Sequence, residues 1–340
     1  MVGNDPLVPR YPHRPIGSID ALARHLGVSR RELERLTRAA PRLYRANPLP
    51  KKGGGFRWTY DARPPLKRLH AAIKEKLLQP VEYPSYLQGS IRDPDTPREP
   101  LTNADLHAGN YLFIQEDVAG FFGSIGPSVV NDMWRRFFAF PADVSEILTN
   151  LTTLKGLVPE GARPSSYIAN LALWDVEPQL VRELQGRGFV YSRYVDDVVI
   201  SAPRNLSHEE KTEVVGRLYG MFAAKGLRAK RQKHSIAKKG QAAGKGRGVT
   251  VTGYSVAGGR AAVSKAERNR VRSAVRQIEV EARTRGTSPE LQARFQSASS
   301  RVDRIARAGS AQGVRLRQRL AELKPSVFPK SNRRDIYGGG

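Results

Sequence analysis

Three carboxylates stand where strands should end. Asp117 closes the strand-like run Gly109 to Glu116 (GNYLFIQE), and Asp196-Asp197 separates two β-branched, aromatic-rich runs, FVYSRYV ending at Val195 and VVIS beginning at Val198. The paired runs predict a hairpin with two acids at its tip. Carboxylates from adjacent strand ends can converge around hard divalent cations. Mg²⁺ suits such an all-oxygen site, since it keeps positions open for water and substrate phosphates. Two such ions would activate an attacking hydroxyl and stabilise the leaving oxygen in phosphoryl transfer. An isolated Asp-Asp often does no more than supply a turn. Here it interrupts an apolar strand pair, which a buried sheet tolerates only with compensation.

The elements around these residues predict an α+β lobe. A strand to Glu116, helical segments at Pro127 to Phe140 and Ser165 to Leu184, and then the hairpin suggest helices on one face of a small antiparallel sheet. Upstream, Ile19, Leu22, Leu26, Leu33 and Leu36 fall at helical spacing around the break Gly27-Val28-Ser29, with Ser29 as an N-cap. That helix pair can be read as a helix-turn-helix DNA reader or as a packing element, and packing is the commoner use. A basic turn, Lys51 to Gly55, then joins two strands, the second being Phe56 to Tyr60, and a helix follows from Leu66 to Leu78. Its three glycines beside two lysines could cradle phosphate, although no Walker spacing is present. Trp58, Trp134 and Trp174 read as core residues.

The 340 residues include 57 Lys+Arg against 32 Asp+Glu, a formal net charge of +25, which points to a polyanionic partner. With 39% hydrophobic residues the chain can bury a substantial core in two or three lobes. It contains no cysteine, which excludes disulfides, thiolate zinc sites and cysteine nucleophiles and suits a reducing cytoplasm. No apolar leader or membrane-length run is apparent, so no membrane partner is expected. Residues 1–15, rich in Pro and Arg, read as a flexible lead-in. Residues 225–247 hold nine Lys or Arg and no acid, and read as a solvated, mobile basic segment. Residues 264–322 read as helices of a separate lobe broken near Gly286 to Pro289 and Gly309 to Gly313. With 15 basic and 5 acidic residues over 260–320, that lobe should follow a phosphate backbone.

These residues carry a family resemblance. Tyr194-Val195-Asp196-Asp197 resembles the Y-x-D-D signature of reverse transcriptases, and the nine residues from Asp117 to Ile125 resemble their first palm motif. Between them, Leu157 to Ser166 followed by Ile168 to Leu171 resembles the P-Q-G-x-x-x-S stretch with its N-L tail. Lys51 to Gly55, Arg57, Pro64 or Pro65 and Leu66-Lys67 resemble the fingers of the bacterial enzymes. Asn103-Ala104-Asp105-Leu106-His107 fits the N-A-x-x-H motif and Val251-Thr252-Gly253 the V-T-G motif of retron reverse transcriptases. The ordered set covers roughly residues 16–280. The length fits a retron enzyme without an added maturase, endonuclease or effector domain.

The resemblance implies a right-hand polymerase: N-terminal helices and fingers over 16–108, palm with fingers insertions over 109–255, a basic helical thumb over 256–325 and a tail over 326–340. It implies RNA-templated DNA synthesis from deoxynucleoside triphosphates with two Mg²⁺ ions. It also implies a cognate structured non-coding RNA as partner, priming from a guanosine 2′-hydroxyl, an RNA–DNA hybrid and a single-stranded DNA product linked to RNA. A separate effector protein in anti-phage defence and a cytoplasmic location follow from the same resemblance. Asp117 and Asp196 would be the principal metal ligands and Asp197 the third carboxylate. Phe122 would crowd the sugar 2′ carbon and exclude ribonucleotides; an ordinary core phenylalanine is the alternative, since one of the adjacent pair Phe121 and Phe122 can belong to the core. Arg57, Lys51, Glu160 and Gly161 would contact the incoming nucleotide. Lys233 would protonate the pyrophosphate leaving group. Asn103, His107, Val251, Thr252 and Gly253 would form RNA-proximal elements, with a bracing role for His107 and a plain strand and turn at 251–253 as the alternatives.

The sequence also departs from the pattern. Glu160 stands where Gln is usual, replacing a donor and acceptor with a pure acceptor. Lys230 replaces an Asn, and Arg163 to Ser166 only loosely follows P-T-S-P. Two rival readings remain. One is another bacterial class of reverse transcriptase, intron-derived, CRISPR-associated or abortive-infection. The other is an RNA-binding scaffold whose polymerase has decayed.

Overall fold

The computed structural model describes residues 5–51, 54–240, 248–284 and 286–329. It opens with helices α1 (Ile19–Leu26) and α2 (Arg30–Ala39). Ser18 Oγ accepts the Ala21 N–H at 3.2 Å and Ser29 Oγ the Glu32 N–H at 3.1 Å, so each serine satisfies a donor that the helix leaves free. Leu22, Leu26, Leu33 and Leu36 are buried, and the pair packs against later helices. Packing is the use these two helices are put to.

Residues 5–15 depart from the flexible lead-in expected of them. Arg10 and Glu82 exchange backbone hydrogen bonds at 3.1 and 2.9 Å, and the Tyr11 ring sits edge-on to Phe138 at 4.7 Å. One bridge and one aromatic anchor this segment without any periodic pattern. Residues 1–4 lie outside the described residues.

Strands β1 (Tyr44–Pro50) and β2 (Phe56–Ala62) form an antiparallel hairpin in which Pro50 pairs with Phe56. Helix α3 (Pro64–Ile73), with proline in its first turn, continues into a π-helical turn at Lys74–Leu78, filling the span expected from Leu66 to Leu78. Next come β3 (Leu87–Gln88), α4 (Pro100–Leu106), β4 (Leu112–Asp117), α5 (Phe121–Ser124), α6 (Pro127–Asp132), α7 (Ala142–Thr152), α8 (Ser165–Leu171) and α9 (Glu177–Gly186). The hairpin strands are β5 (Val190–Tyr194) and β6 (Asp197–Ala202), followed by α10 (His208–Ala223), β7 (Ser235–Lys238), β8 (Thr250–Val251) and β9 (Tyr254–Ser255). Helices α11 (Lys265–Thr284), α12 (Pro289–Arg307) and α13 (Ala311–Val327) complete the described chain. Their breaks fall where the glycine and proline signals placed them.

The α+β class holds, with a five-stranded sheet in the order β3-β5-β6-β4-β7. It is antiparallel except between β3 and β5. The expectation of helices on one face only is corrected. Leu112, Ile114, Val198 and Ile200 join the core built with the N-terminal helices, whereas Phe113, Val199 and Ala237 join a second core shared with α11, α12 and α13. Apolar residues at both parities of these strands allow both faces to be covered.

The solvated reading of the basic segment also fails over 225–240. Leu227 is buried, Ala229 bridges to Val118, and Ser235–Lys238 is an edge strand paired with β4. Lysines suit an edge strand because only one of its sides is covered. Residues 241–247, the rest of that segment, lie outside the described residues, as does the tail beyond 329. Among the described residues no helix is long and apolar enough to cross a membrane.

Candidate active site

The sheet register brings the acids together. Asp117, the last residue of β4, pairs directly with Asp197, the first residue of β6, so both side chains leave the sheet on the same side. Tyr194 pairs with Asp197 in turn, leaving Val195-Asp196 as a two-residue turn in which Val195 takes a positive φ of 60°. Asp196 O accepts the Val118 N–H at 3.0 Å, and Asp117 O accepts the Lys230 N–H at 2.7 Å. Backbone hydrogen bonds therefore tie the three strand ends into one unit.

Electrostatics within the unit are tense. Burial, and then the charge of Asp196, push the Asp197 carboxyl up to about 6; burial and the nearby Asp117 raise Asp196 as well. Lys233 Nζ forms an ion pair with Asp117 from a short 3₁₀ turn, Arg231–Lys233. Among the described residues no group of three His, Cys, Asp or Glu stands ready-made as a metal cage. Even so, the donor set suits a hard divalent cation: every donor is a carboxylate oxygen, two of the acids hold excess negative potential, and an ammonium already sits on the third.

A cleft of about 430 Å³ opens beside these acids, lined by Asp117 and Asp196 from the strand ends and by Lys51, Arg57 and Glu160 at the β1–β2 hairpin. Phe122 and Lys233 also line it. Phe121 lines it too but is only 3% exposed, whereas Phe122 is half-buried and rests on the same core. Arg57 Nη1 lies 3.2 Å from Glu160 Oε1. Gly161 takes φ 98° and lies flat against β2, where a Cβ would approach Tyr60 O to 3.3 Å. The turn at Lys51 to Gly55 closes with an N–H of Gly54 on Lys51 O; residues 52–53 lie outside the described residues.

Several expectations need correction. Trp58 is 53% exposed and lines the cleft together with Phe56, whereas Trp134 is fully buried and Trp174 half-buried. The β1–β2 hairpin leaves Trp58 without a covering layer. Direct RNA contact by the side chains of Asn103, His107 and Val251 is excluded in this arrangement, since all three are fully buried. His107 lies behind the sheet between Ser201 Oγ and Ser192 Oγ, each 2.7 Å from a ring nitrogen, and burial lowers its pKa to about 3. It is a neutral brace for β5 and β6. Thr252-Gly253 form the tight turn between β8 and β9, with Thr252 Oγ1 donating to Pro100 O at 2.5 Å and Gly253 exposed.

Sequence reasoning missed the support behind the turn. Arg193, fully buried, donates to Asn170 O at 2.8 Å, to Val195 O at 3.2 Å and to Ala169 O at 3.4 Å, and its guanidinium lies 5.8 Å from the Phe121 ring centroid. One side chain thus joins α8, the catalytic-type turn and the segment after Asp117. Its signal was visible, because a lone arginine in an apolar strand requires a buried partner. Gly89 was missed too. An added Cβ there would come within 2.8 Å of the Tyr194 ring.

Comparison with known proteins decides the family. The family described as "Reverse transcriptase (RNA-dependent DNA polymerase)" matches residues 49–256. The chain belongs to the reverse transcriptases. The enzyme is 30% identical over 318 residues to the Retron Se72 reverse transcriptase of Salmonella heidelberg (strain 579083-10), spanning 93% of this chain and 82% of that protein. To the Retron Ec48 reverse transcriptase of Escherichia coli it is 25% identical over 321 residues, 92% of this chain and 77% of that one. It is a reverse transcriptase of the retron type. Among solved structures, apo telomerase from Candida Tropicalis truncated from its C-terminal domain aligns with a TM-score of 0.42 and 11% identity, over 70% of this chain and 61% of that one.

Proposed function

We propose that this reverse transcriptase copies part of a structured non-coding RNA encoded beside it into single-stranded DNA. Priming is from a guanosine 2′-hydroxyl in that RNA, so the DNA stays linked to RNA. The observation that carries this reading is the meeting, in one cleft, of Asp117 and Asp196, with Asp197 alongside, and the cations Arg57 and Lys51. A metal-bound nucleoside triphosphate requires that combination of charges. Asp117, Asp196 and Asp197 would hold two Mg²⁺ ions, which when bound lower the pKa of the attacking hydroxyl and neutralise charge on the leaving oxygen.

The protein's own groups do the positioning. Arg57 offers a planar fork and Lys51 a point charge to the phosphates. Phe122, at the cleft wall, excludes a sugar bearing a 2′-hydroxyl, and Gly161 lets the backbone pass close to β2 beneath the nucleotide. Lys233, placed at Asp117, is the proton donor to pyrophosphate. In this reading residues 16–108 act as fingers, 109–255 as palm and 256–325 as a thumb whose basic helices follow the RNA–DNA hybrid. Thr252 and Gly253 remain the RNA-proximal part of the V-T-G turn. The enzyme works in the cytoplasm, and a separate effector protein completes an anti-phage system.

The test is to purify the protein with its nucleic acid from cells carrying the native locus, treat the extract with ribonuclease and run the DNA on a denaturing gel. A discrete DNA band with a ribonuclease-sensitive RNA attachment, lost in Asp196→Asn, is the expected result. RNA without DNA would favour the scaffold reading, and linear unattached DNA another class of reverse transcriptase.

A further inference from the structure

A cleft that must accept a polyphosphate is a poor place for an extra carboxylate, yet Glu160 lines it together with Asp196. Its position is not incidental. Glu160 O accepts the Tyr60 N–H of β2 at 2.7 Å, and the next residue, Gly161, is pressed against Tyr60 and Thr59. The backbone therefore holds this side chain at the β1–β2 hairpin. There, at 30% exposure, Glu160 Oε1 meets Arg57 Nη1 at 3.2 Å, while Arg57 itself is 58% exposed. Lys51 and Asp196 are both near enough to be felt by the same carboxyl, with opposite sign. The cleft is thus neutralised from within at two points, Lys233 covering Asp117 and Glu160 covering Arg57.

We propose that Glu160 is a nucleotide-affinity determinant: it occupies the guanidinium of Arg57 in the empty cleft, and each incoming deoxynucleoside triphosphate must displace it. The inference rests on the reading of this cleft as the polymerase site. The exchange is a competition between two anions for one fork. A half-exposed carboxylate is the weaker competitor, because solvent screens a pair of this exposure, whereas a triphosphate offers several charges and bidentate geometry. The pair therefore opens on binding but reduces the net gain. Once displaced, Glu160 adds repulsion to the bound phosphates. Both effects weaken nucleotide affinity without touching the reacting atoms, so the consequence should appear in KM more than in kcat.

Glu160→Gln keeps the shape and an acceptor while removing the charge. It should lower the KM for dTTP on a poly(rA)–oligo(dT) substrate by about two- to fivefold, the worth of one partly exposed ion pair. Arg57→Ala should raise KM, and adding Glu160→Gln to it should give much less improvement than in the parent, since the two residues act as one unit. The difference between parent and Glu160→Gln should shrink as KCl is raised. Equilibrium binding of dTTP with Mg²⁺, measured by calorimetry on the same four proteins, reads the affinity without turnover. Tighter binding by Glu160→Gln, with a much smaller gain in the double variant, supports the inference whether or not the homopolymer is copied. A parent that copies the template while Glu160→Gln binds dTTP no more tightly overturns the inference alone. A parent that neither copies the template nor binds dTTP overturns the inference together with the polymerase reading on which it rests.

Discussion

Arg193 and Glu177 hold one another inside the protein, Nε 2.6 Å from Oε1 and Nη2 2.7 Å from Oε2, with neither side chain more than 1% exposed. Tyr191 adds its hydroxyl to the same carboxylate at 2.6 Å. Because Arg193 also donates to Val195 O, the pair connects the start of α9 to the turn that carries Asp196. Replacing one partner strands a buried charge. Arg193→Met should lower unfolding stability by about 3–5 kcal/mol, and Arg193→Met with Glu177→Leu should recover a large part of that loss. Urea unfolding of the two variants checks both statements. If Arg193 positions the turn, the double variant regains stability but remains slow in DNA synthesis.

Removing the charge of any one strand-end acid should separate chemistry from binding. Asp117→Asn, Asp196→Asn and Asp197→Asn are each expected to take DNA synthesis below detection while leaving salt-sensitive RNA binding intact. A gel assay of product beside filter binding of RNA makes the comparison. Loss of both together would mean that the acids hold the fold and not the chemistry.

Both phenylalanines border the cleft, Phe121 buried beside Arg193 and Phe122 half-buried, so truncation at 122 removes the less buried of the two rings from the cleft lining. Phe122→Ala should lower discrimination against ribonucleotides by about 10–100-fold. The ratio of kcat/KM for dGTP and GTP measures it. An unchanged ratio would place the sugar elsewhere.

Gly89 combines φ 81° with the Tyr194 ring lying where a Cβ would sit. Gly89→Ala should cost about 1–3 kcal/mol through overpacking and backbone strain, and should displace the tyrosine beside the turn. Thermal unfolding and synthesis rate should fall together. A fully active, fully stable Gly89→Ala protein would show that the ring moves at no cost.

The buried histidines give a pH dependence whose sign follows from their direction. Burial lowers His107 to about 3 and His70 to about 4, against about 6.5 in the unfolded chain. Below 6.5 the unfolded chain therefore binds protons that the folded one refuses. The contribution is complete above pH 6.5 and is lost as pH falls toward 3, at up to ~1.4 kcal/mol per pH unit for each histidine. Replacing His107 by Gln should flatten the fall in unfolding free energy between pH 6 and 5 by about that amount, whatever it does to absolute stability. Denaturant titrations at the two pH values test it.

The acidic cluster was legible because strand ends and acids coincide at Asp117 and Asp196-Asp197, and period-2 pairing then leaves little choice of register. The helices from 264 onward were legible from apolar spacing and from breaks at Gly286 and Gly309. Lysine content concealed β7: Ser235–Lys238 offers one inward residue, Ala237, and its identity as a strand comes from an open edge of β4. Trp58 misled for the opposite reason, since an aromatic in a strand suggests a core, but among the described residues its hairpin pairs with no other sheet. Arg193 with Glu177, and Arg57 with Glu160, depend on segments 16 and 103 positions apart meeting in space, which local pattern does not encode.

The two-sided burial of the central sheet also restricts movement. Phe113 on β4 and Val199 on β6 share one dry interior with Val271, Leu291 and Ile305 of the C-terminal helices. Swinging that helical block away as a free lid would wet the back of the strands whose ends carry Asp117 and Asp197. Unfolding of the helical block should therefore loosen the strands that end in Asp117 and Asp197.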